Sequence, residues 1–222
     1  FFMSKFLPHN FIPKQVQEVS LNIKGKNPED FEKDFINRIS LNSFDKKWEI
    51  AFSKGRLNFN YSFDLFKKEE FDFEMFKNSI LEYLLLIEEK FNKKFHRLGV
   101  VVDKLIPIKD DDRKKVFLKF NNKSNFIGED LVPVEWTNKI VVRKKIEELN
   151  DEIINISNMN SFIKAQLNSK NKQMDFEGIH NVIDLNTLSI LKEKRFSRED
   201  IDVFLTKSNT LINEIFVNNQ VD

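Results

Sequence analysis

Cysteine is absent from this 222-residue chain. That excludes a disulfide framework, a thiolate nucleophile and any zinc site built on sulfur. It also fits a reducing compartment, so a cytoplasmic location is expected. Glycine is scarce, five residues in all, which leaves little backbone for a phosphate-cradling loop. None of the patterns GxGxxG, GxxxxGK with Ser or Thr, GxSxG or HExxH occurs, so familiar nucleotide and hydrolase chemistry is not expected. Long apolar runs are missing too. The longest, Leu84 to Ile87 and Val100 to Val102, fall far short of the roughly 18 to 20 residues of a membrane-spanning helix. No sign of charge dominates: 36 basic residues stand against 35 acidic ones, a formal net charge of +1, so no global field steers the chain toward a polyanion. The opening Phe1 to Leu7 is apolar but short and precedes no small-residue cleavage site, a poor signal peptide. A chain that opens on Phe1 rather than methionine is expected to be a fragment or a processed product.

What is present is a foldable globular composition, 41% hydrophobic and 32% charged. Phenylalanine is the peculiarity: 24 residues against two tyrosines and two tryptophans, with 19 of them at or before Phe126. Their helical and strand periodicities are those of a packed core rather than a ligand pocket. The bias toward Phe, Lys, Asn and Ile suggests an AT-rich genome, most simply a bacterium or its mobile elements.

Val19, Leu21 and Ile23 alternate with Ser20 and Asn22, a half-buried strand closed by Gly25. Asn27 and Pro28 then suit a helix start, and Phe31, Phe35 and Ile39 at four-residue steps predict an amphipathic helix over 28–39. Trp48, Ile50 and Phe52 face Leu57, Phe59 and Tyr61 across a loop at Lys54-Gly55, with the strand running on to Leu65. In that hairpin 52 pairs with 57, 50 with 59 and 48 with 61, so every large side chain falls on one face. Asp72 is placed to cap a long helix carrying Phe73, Phe76, Ile80, Leu84, Ile87 and Phe91. A strand over 95–102 contains Gly99, read as a bulge or close backbone approach. A solvated turn over 108–115 leads to a strand over 116–120.

Residues 122–137 read as irregular, with Gly128 and Pro133, and are the one candidate subdivision of what is otherwise a single domain over 1–222. Strands follow at 139–146, 152–156 and 162–167. A hairpin turn at 168–171 leads to Met174 through Leu185, with a bulge at Gly178. Ser197 and Asp200 form a capping box for a last helix bearing Ile201, Phe204, Leu205, Leu211, Ile212, Ile215 and Phe216. The order predicts an α+β fold, a largely antiparallel sheet with helices packed on one face.

Few residues suggest chemistry. His9, His96 and His180 lie far apart in sequence. His180 is near Asp175, Glu177 and Asp184, but Glu177 and His180 point apart in a strand unless Gly178 bulges. Asp110-Asp111-Asp112 supplies oxygen ligands without the spacing of a calcium loop and reads better as a solvated turn. No catalytic, cofactor-binding or metal-ligating residue is assigned, and no cofactor is expected. Arg143, Lys144, Lys145, Lys192, Lys194 and Arg195 are the candidate nucleic-acid contacts, forming a modest patch if the fold brings them to one face. Glu147, Glu148 and Glu193 stand beside them and weaken that reading.

Glu18-Val19-Ser20-Leu21, Arg97-Leu98-Gly99-Val100, Ile183-Asp184-Leu185-Asn186 and Leu211-Ile212-Asn213-Glu214-Ile215-Phe216 together resemble a sporadically distributed family of uncharacterised prokaryotic proteins. In that family an Arg-Ile-Gly segment follows a long helix and an aspartate-bearing strand precedes a C-terminal amphipathic helix. Leu98 and Asn186 depart from its commoner Ile and Asp. The resemblance implies genes that travel with mobile elements or defence islands. It further implies a non-enzymatic accessory, inhibitory or sensor subunit in an antiviral-defence or toxin-neutralising system, working through a protein partner. The strands over 139–185 and the segment Leu188 to Arg195 are the expected contact surface. Nucleic-acid binding is the alternative.

Overall fold

The computed structural model describes residues 11–23, 31–53, 56–62, 71–91, 95–109, 112–121, 132–169, 172–188 and 196–219. The fold is α+β, and the described residues form two four-stranded sheets, both antiparallel throughout. The chain divides into two compact units, Phe1–Tyr83 and Leu84–Asp222.

The first unit holds a meander of β1 (Phe11–Ile23), β2 (Phe31–Ser43), β3 (Trp48–Ser53) and β4 (Arg56–Tyr61) in sequential order. β1 contains the strand expected at 19–23. The helix expected over 28–39 is overturned: 31–39 belongs to β2, which pairs with β1 from Phe11↔Ser43 to Ile23↔Phe31. A spacing of four suits a helical turn, but four is also even, so Phe31, Phe35 and Ile39 equally share the parity of a strand, and Leu41 continues it. The reach of that parity to Leu41, opposite Ile50, favours the strand.

The β3–β4 hairpin forms in the expected register, with Trp48↔Tyr61, Ile50↔Phe59 and Phe52↔Leu57. Ile50 is fully buried and Trp48 nearly so. The start of α1 (Phe73–Phe91) lies over this face. Phe76 stacks on Trp48 with ring centres 5.4 Å apart, and Tyr83 stacks on Phe59 at 6.1 Å. Asp72 caps the helix as expected, its Oδ1 accepting from the Met75 backbone N–H at 3.0 Å. The unit boundary falls within this helix.

In the second unit the strand order is β5 (Gly99–Pro107), β8 (Lys172–Thr187), β7 (Glu152–Ser169), β6 (Trp136–Ile146). The strands expected at 152–156 and 162–167 are one continuous strand, β7. β7 pairs with β8 without interruption from Ile154↔Thr187 to Ser169↔Lys172; of the turn expected at 168–171, Asn168 and Ser169 belong to β7 and 170–171 lie outside the described residues. The strand expected at 95–102 starts later, at Gly99, after an isolated bridge from Phe95 to Phe196.

The strand expected at 116–120 is a helix, α2 (Arg113–Asn121). Val116 and Phe117 are buried while Leu118 is exposed, the consequence of a 3.6-residue period rather than alternation. Val116 packs with Phe162 and Ile179, and Ile106, Phe120 and Trp136 close around them. α3 (Arg198–Asn219) opens on the expected capping box: Asp200 Oδ2 accepts from the Ser197 N–H at 2.8 Å, and Ser197 Oγ accepts from the Asp200 N–H at 3.3 Å. α2 packs on the sheet face that carries Ile106, Ile179 and Phe162. Lys104, two residues from Ile106 on that same face, sets its Nζ 4.4 Å from the Phe216 ring of α3. Both helices therefore cover one face and leave the other open.

Gly178 carries no bulge. Its pairings, Pro107↔Gly178 and Ile163↔Gly178, keep the register of the residues on either side. It is instead a place of close approach, where a Cβ would stand 2.2 Å from the Ile106 carbonyl oxygen and 2.7 Å from the Phe176 ring. Gly99 meets only ordinary contacts, at 3.6 Å.

Candidate protein-docking edge

β6 is the last strand of its sheet and among the described residues pairs only with β7. At 11 residues it is long for an edge, and edge strands present unpaired N–H and C=O groups along their outer side. Its centre is apolar: Ile140, Val141 and Val142 are 55%, 56% and 51% exposed. Alternation divides the strand. Thr137, Lys139, Val141, Arg143 and Lys145 lie on the open side of the sheet. Asn138, Ile140, Val142 and Lys144 lie on the helix side, in line with buried Ile156 and Ile154 through the pairs Val142↔Ile156 and Lys144↔Ile154. Between Trp136, which packs on Phe117 and Phe120 of α2, and buried Ile146, the helix-side residues Ile140, Val142 and Lys144 of β6 are exposed.

Of the sequence-predicted basic residues, Arg143 and Lys145 thus share a face and Lys144 takes the opposite one. Lys192, Lys194 and Arg195 lie outside the described residues. Lys145 is held by Asp151 at 2.9 Å. Arg143 Nε donates to Asn155 Oδ1 at 3.2 Å, Asn155 Nδ2 to Asn186 Oδ1 at 3.4 Å, and Arg97 Nη2 to the same Asn186 oxygen at 3.2 Å. This row crosses the open face from β8 to β6 and draws together segments 97–100 and 183–186, through pairs such as Gly99↔Asn186. Arg97, Asn155 and Asn186 were not legible as one constellation, because only strand register brings them into line.

His180 faces neither Asp175, Glu177 nor Asp184. Its Nε2 lies 2.9 Å from Asp103 Oδ1 of β5, also on the open face. Asp175 accepts from Gln166 Nε2 at 3.3 Å, and Asp184 from Asn186 Nδ2 at 3.0 Å. Glu177 pairs with Arg113 and with Lys164, the latter at 3.1 Å. Continuous register through Gly178 keeps Glu177 and His180 on opposite sides. His9, Asp110 and Asp111 lie outside the described residues. Among the described residues no cluster of three or more His, Asp or Glu side chains is arranged to hold a metal ion, and no helix is long and apolar enough to cross a membrane. An open cleft of about 370 Å³ lies where β7 and β8 run past their neighbours, lined by Lys164, Gln166, Asp175, Phe176 and Glu177. Its polar side chains are engaged with one another, Lys164 with Glu177 and Gln166 with Asp175.

The 3-10 turn Glu147–Leu149 that follows β6 is tied down. Leu149 is buried, and Glu148 pairs with Lys207 of α3, a contact that holds the Glu148 carboxyl below its ordinary range. The edge therefore ends at an anchored point and not in a free loop. Comparison with family models, curated proteins and solved structures returned no match.

Proposed function

We propose that this chain is a protein-binding subunit that receives an extended segment of a partner along the outer edge of β6. The observation that carries the reading is the run Ile140-Val141-Val142, each more than half exposed on a long edge strand. Native edges are commonly shortened, bulged or covered, because a flat apolar edge templates further strands; one left open is suited to strand addition. Lysine and arginine around the run keep it from indiscriminate pairing. The wider setting, an accessory subunit in a prokaryotic antiviral-defence or toxin-neutralising system, rests on the family resemblance. Affinity purification with a photo-crosslinker at position 140 tests the reading. A stoichiometric protein cross-linked at β6, and lost from the Val141→Lys variant, is the expected result; recovery of clean monomer counts against it.

One observation favours nucleic-acid binding as a second reading: Arg97 and Arg143 are held at the two ends of the asparagine row. Asp103 and Asp184 share that face and oppose a polyanion. Retention on heparin across a salt series decides, since phosphate contacts weaken steeply with salt.

A further inference from the structure

The charges along β6 specify what kind of strand it accepts. Lys139 and Arg143 bracket Val141 on the open side, and Lys144 flanks Ile140 and Val142 on the helix side. Lys145 is already engaged by Asp151. A second copy of this chain is a poor occupant: antiparallel self-pairing centred on Val141 sets Lys139 against Arg143 twice, and in-register parallel pairing sets each cation against itself. Shifting the antiparallel register by one residue relieves the repulsion only by placing Lys139 across from Val142. Like charges directly opposite destabilise a strand pair, and opposite charges stabilise it.

Resting on the docking reading above, we propose that the occupant is an acidic extended segment of a different protein, pairing antiparallel with β6 as its charge complement. Read along the incoming strand, the pattern is acidic, acidic, apolar, apolar, apolar, acidic, opposite Lys144, Arg143, Val142, Val141, Ile140 and Lys139 in turn. Backbone hydrogen bonds supply the attachment, the apolar triplet buries the exposed run, and the two acidic flanks select register and partner. Arg143 suits that role because its Nε is anchored on Asn155 while the residue stays exposed on the strand.

The test uses the whole chain and synthetic peptides of that pattern, titrated by calorimetry or fluorescence. The acidic peptide binds, and a peptide with lysine at the acidic positions does not. Two further peptides carry N-methyl groups on alternate residues, in opposite phases, which blocks ladder bonds without touching the protein's own fold. One phase abolishes binding and the other retains it, as strand addition requires. The Lys139→Glu, Arg143→Glu double variant weakens the acidic peptide by about tenfold and gains the lysine peptide. Equal binding of both N-methylated phases overturns strand addition. Failure of both peptides, with a concentration-dependent dimer that Val141→Lys dissolves, overturns the acidic partner in favour of a second copy. If a cross-linked partner meets β6 through a segment that is not acidic, the docking reading stands and this inference fails. Competition by an oligonucleotide as strong as by the peptide replaces it with simple polyanion binding.

Discussion

At the scale of single residues, two positions do what no side-chain inventory announces. Gly178 was singled out by its place in an alternating segment, but its role is steric: the Ile106 carbonyl oxygen and the Phe176 ring occupy the space of a Cβ. The obstacle on one side is backbone, which cannot swing aside. Gly178→Ala is therefore expected to destabilise the second unit by about 1 to 3 kcal/mol, as overpacking does, measurable by denaturant unfolding; an unchanged midpoint removes the close-approach account. Tyr83 is buried against Phe59 and Trp48, and burial, with the nearby Glu82, pushes its phenol from 10.0 up to about 12. Above pH 10 the unfolded chain releases this proton while the folded chain keeps it. The associated stability, at most about 3 kcal/mol, is complete below pH 10 and is lost as pH rises toward 12. Unfolding curves across that window are expected to show the decline, and Tyr83→Phe to reduce it.

At the scale of elements, the hairpin of β3 and β4 and both capped helices were legible because their signals are local. Alternation on both sides of Lys54-Gly55 sets the register, and a carboxylate at Asp72 or Asp200 reaches backbone N–H groups a few residues away. β2 and α2 were misread for the same reason in opposite directions. Apolar residues four apart, Phe31 and Phe35 or Val116 and Phe120, satisfy either period, and the choice falls to what packs against them: β1 pairing for one, the Phe162 and Ile179 surface for the other. The pairing of β7 with β8 carries a further device. Asn181 and Asn160 are buried on the helix-covered face, and Asn181 Nδ2 donates to Asn158 Oδ1 and Asn160 Oδ1, both at 2.7 Å. A register slip would strand these amides away from one another, so the cluster favours a single alignment of a long hairpin. Asn181→Leu takes this donor from the buried Asn160 acceptor and the half-buried Asn158 one and is expected to cost about 1 to 3 kcal/mol. Hydrogen exchange should show the loss as weaker protection along β7 and β8; unchanged protection would assign the cluster no role in alignment.

At the scale of the whole molecule, near-equal numbers of acidic and basic residues place the pI near 8.0. Net repulsion vanishes near that pH, but the cations along β6 hold copies of that edge apart, so association near pH 8 is expected not to run through β6. Light scattering against pH reads this: Val141→Lys should leave the profile unchanged, and a maximum near pH 8 that this change suppresses would place self-pairing on β6. The amino-acid sequence alone determined the α+β class, the β3–β4 register, the caps of α1 and α3, and the exclusion of cysteine chemistry. Each follows from composition or from contacts between residues close along the chain. Only the tertiary structure decided which strand stands at the edge, that Arg97 and Arg143 share one asparagine row, and which face of the sheet Arg143 and Lys145 take. Those depend on strand order and on pairings between residues far apart in sequence, where one residue of register exchanges the two faces of a sheet.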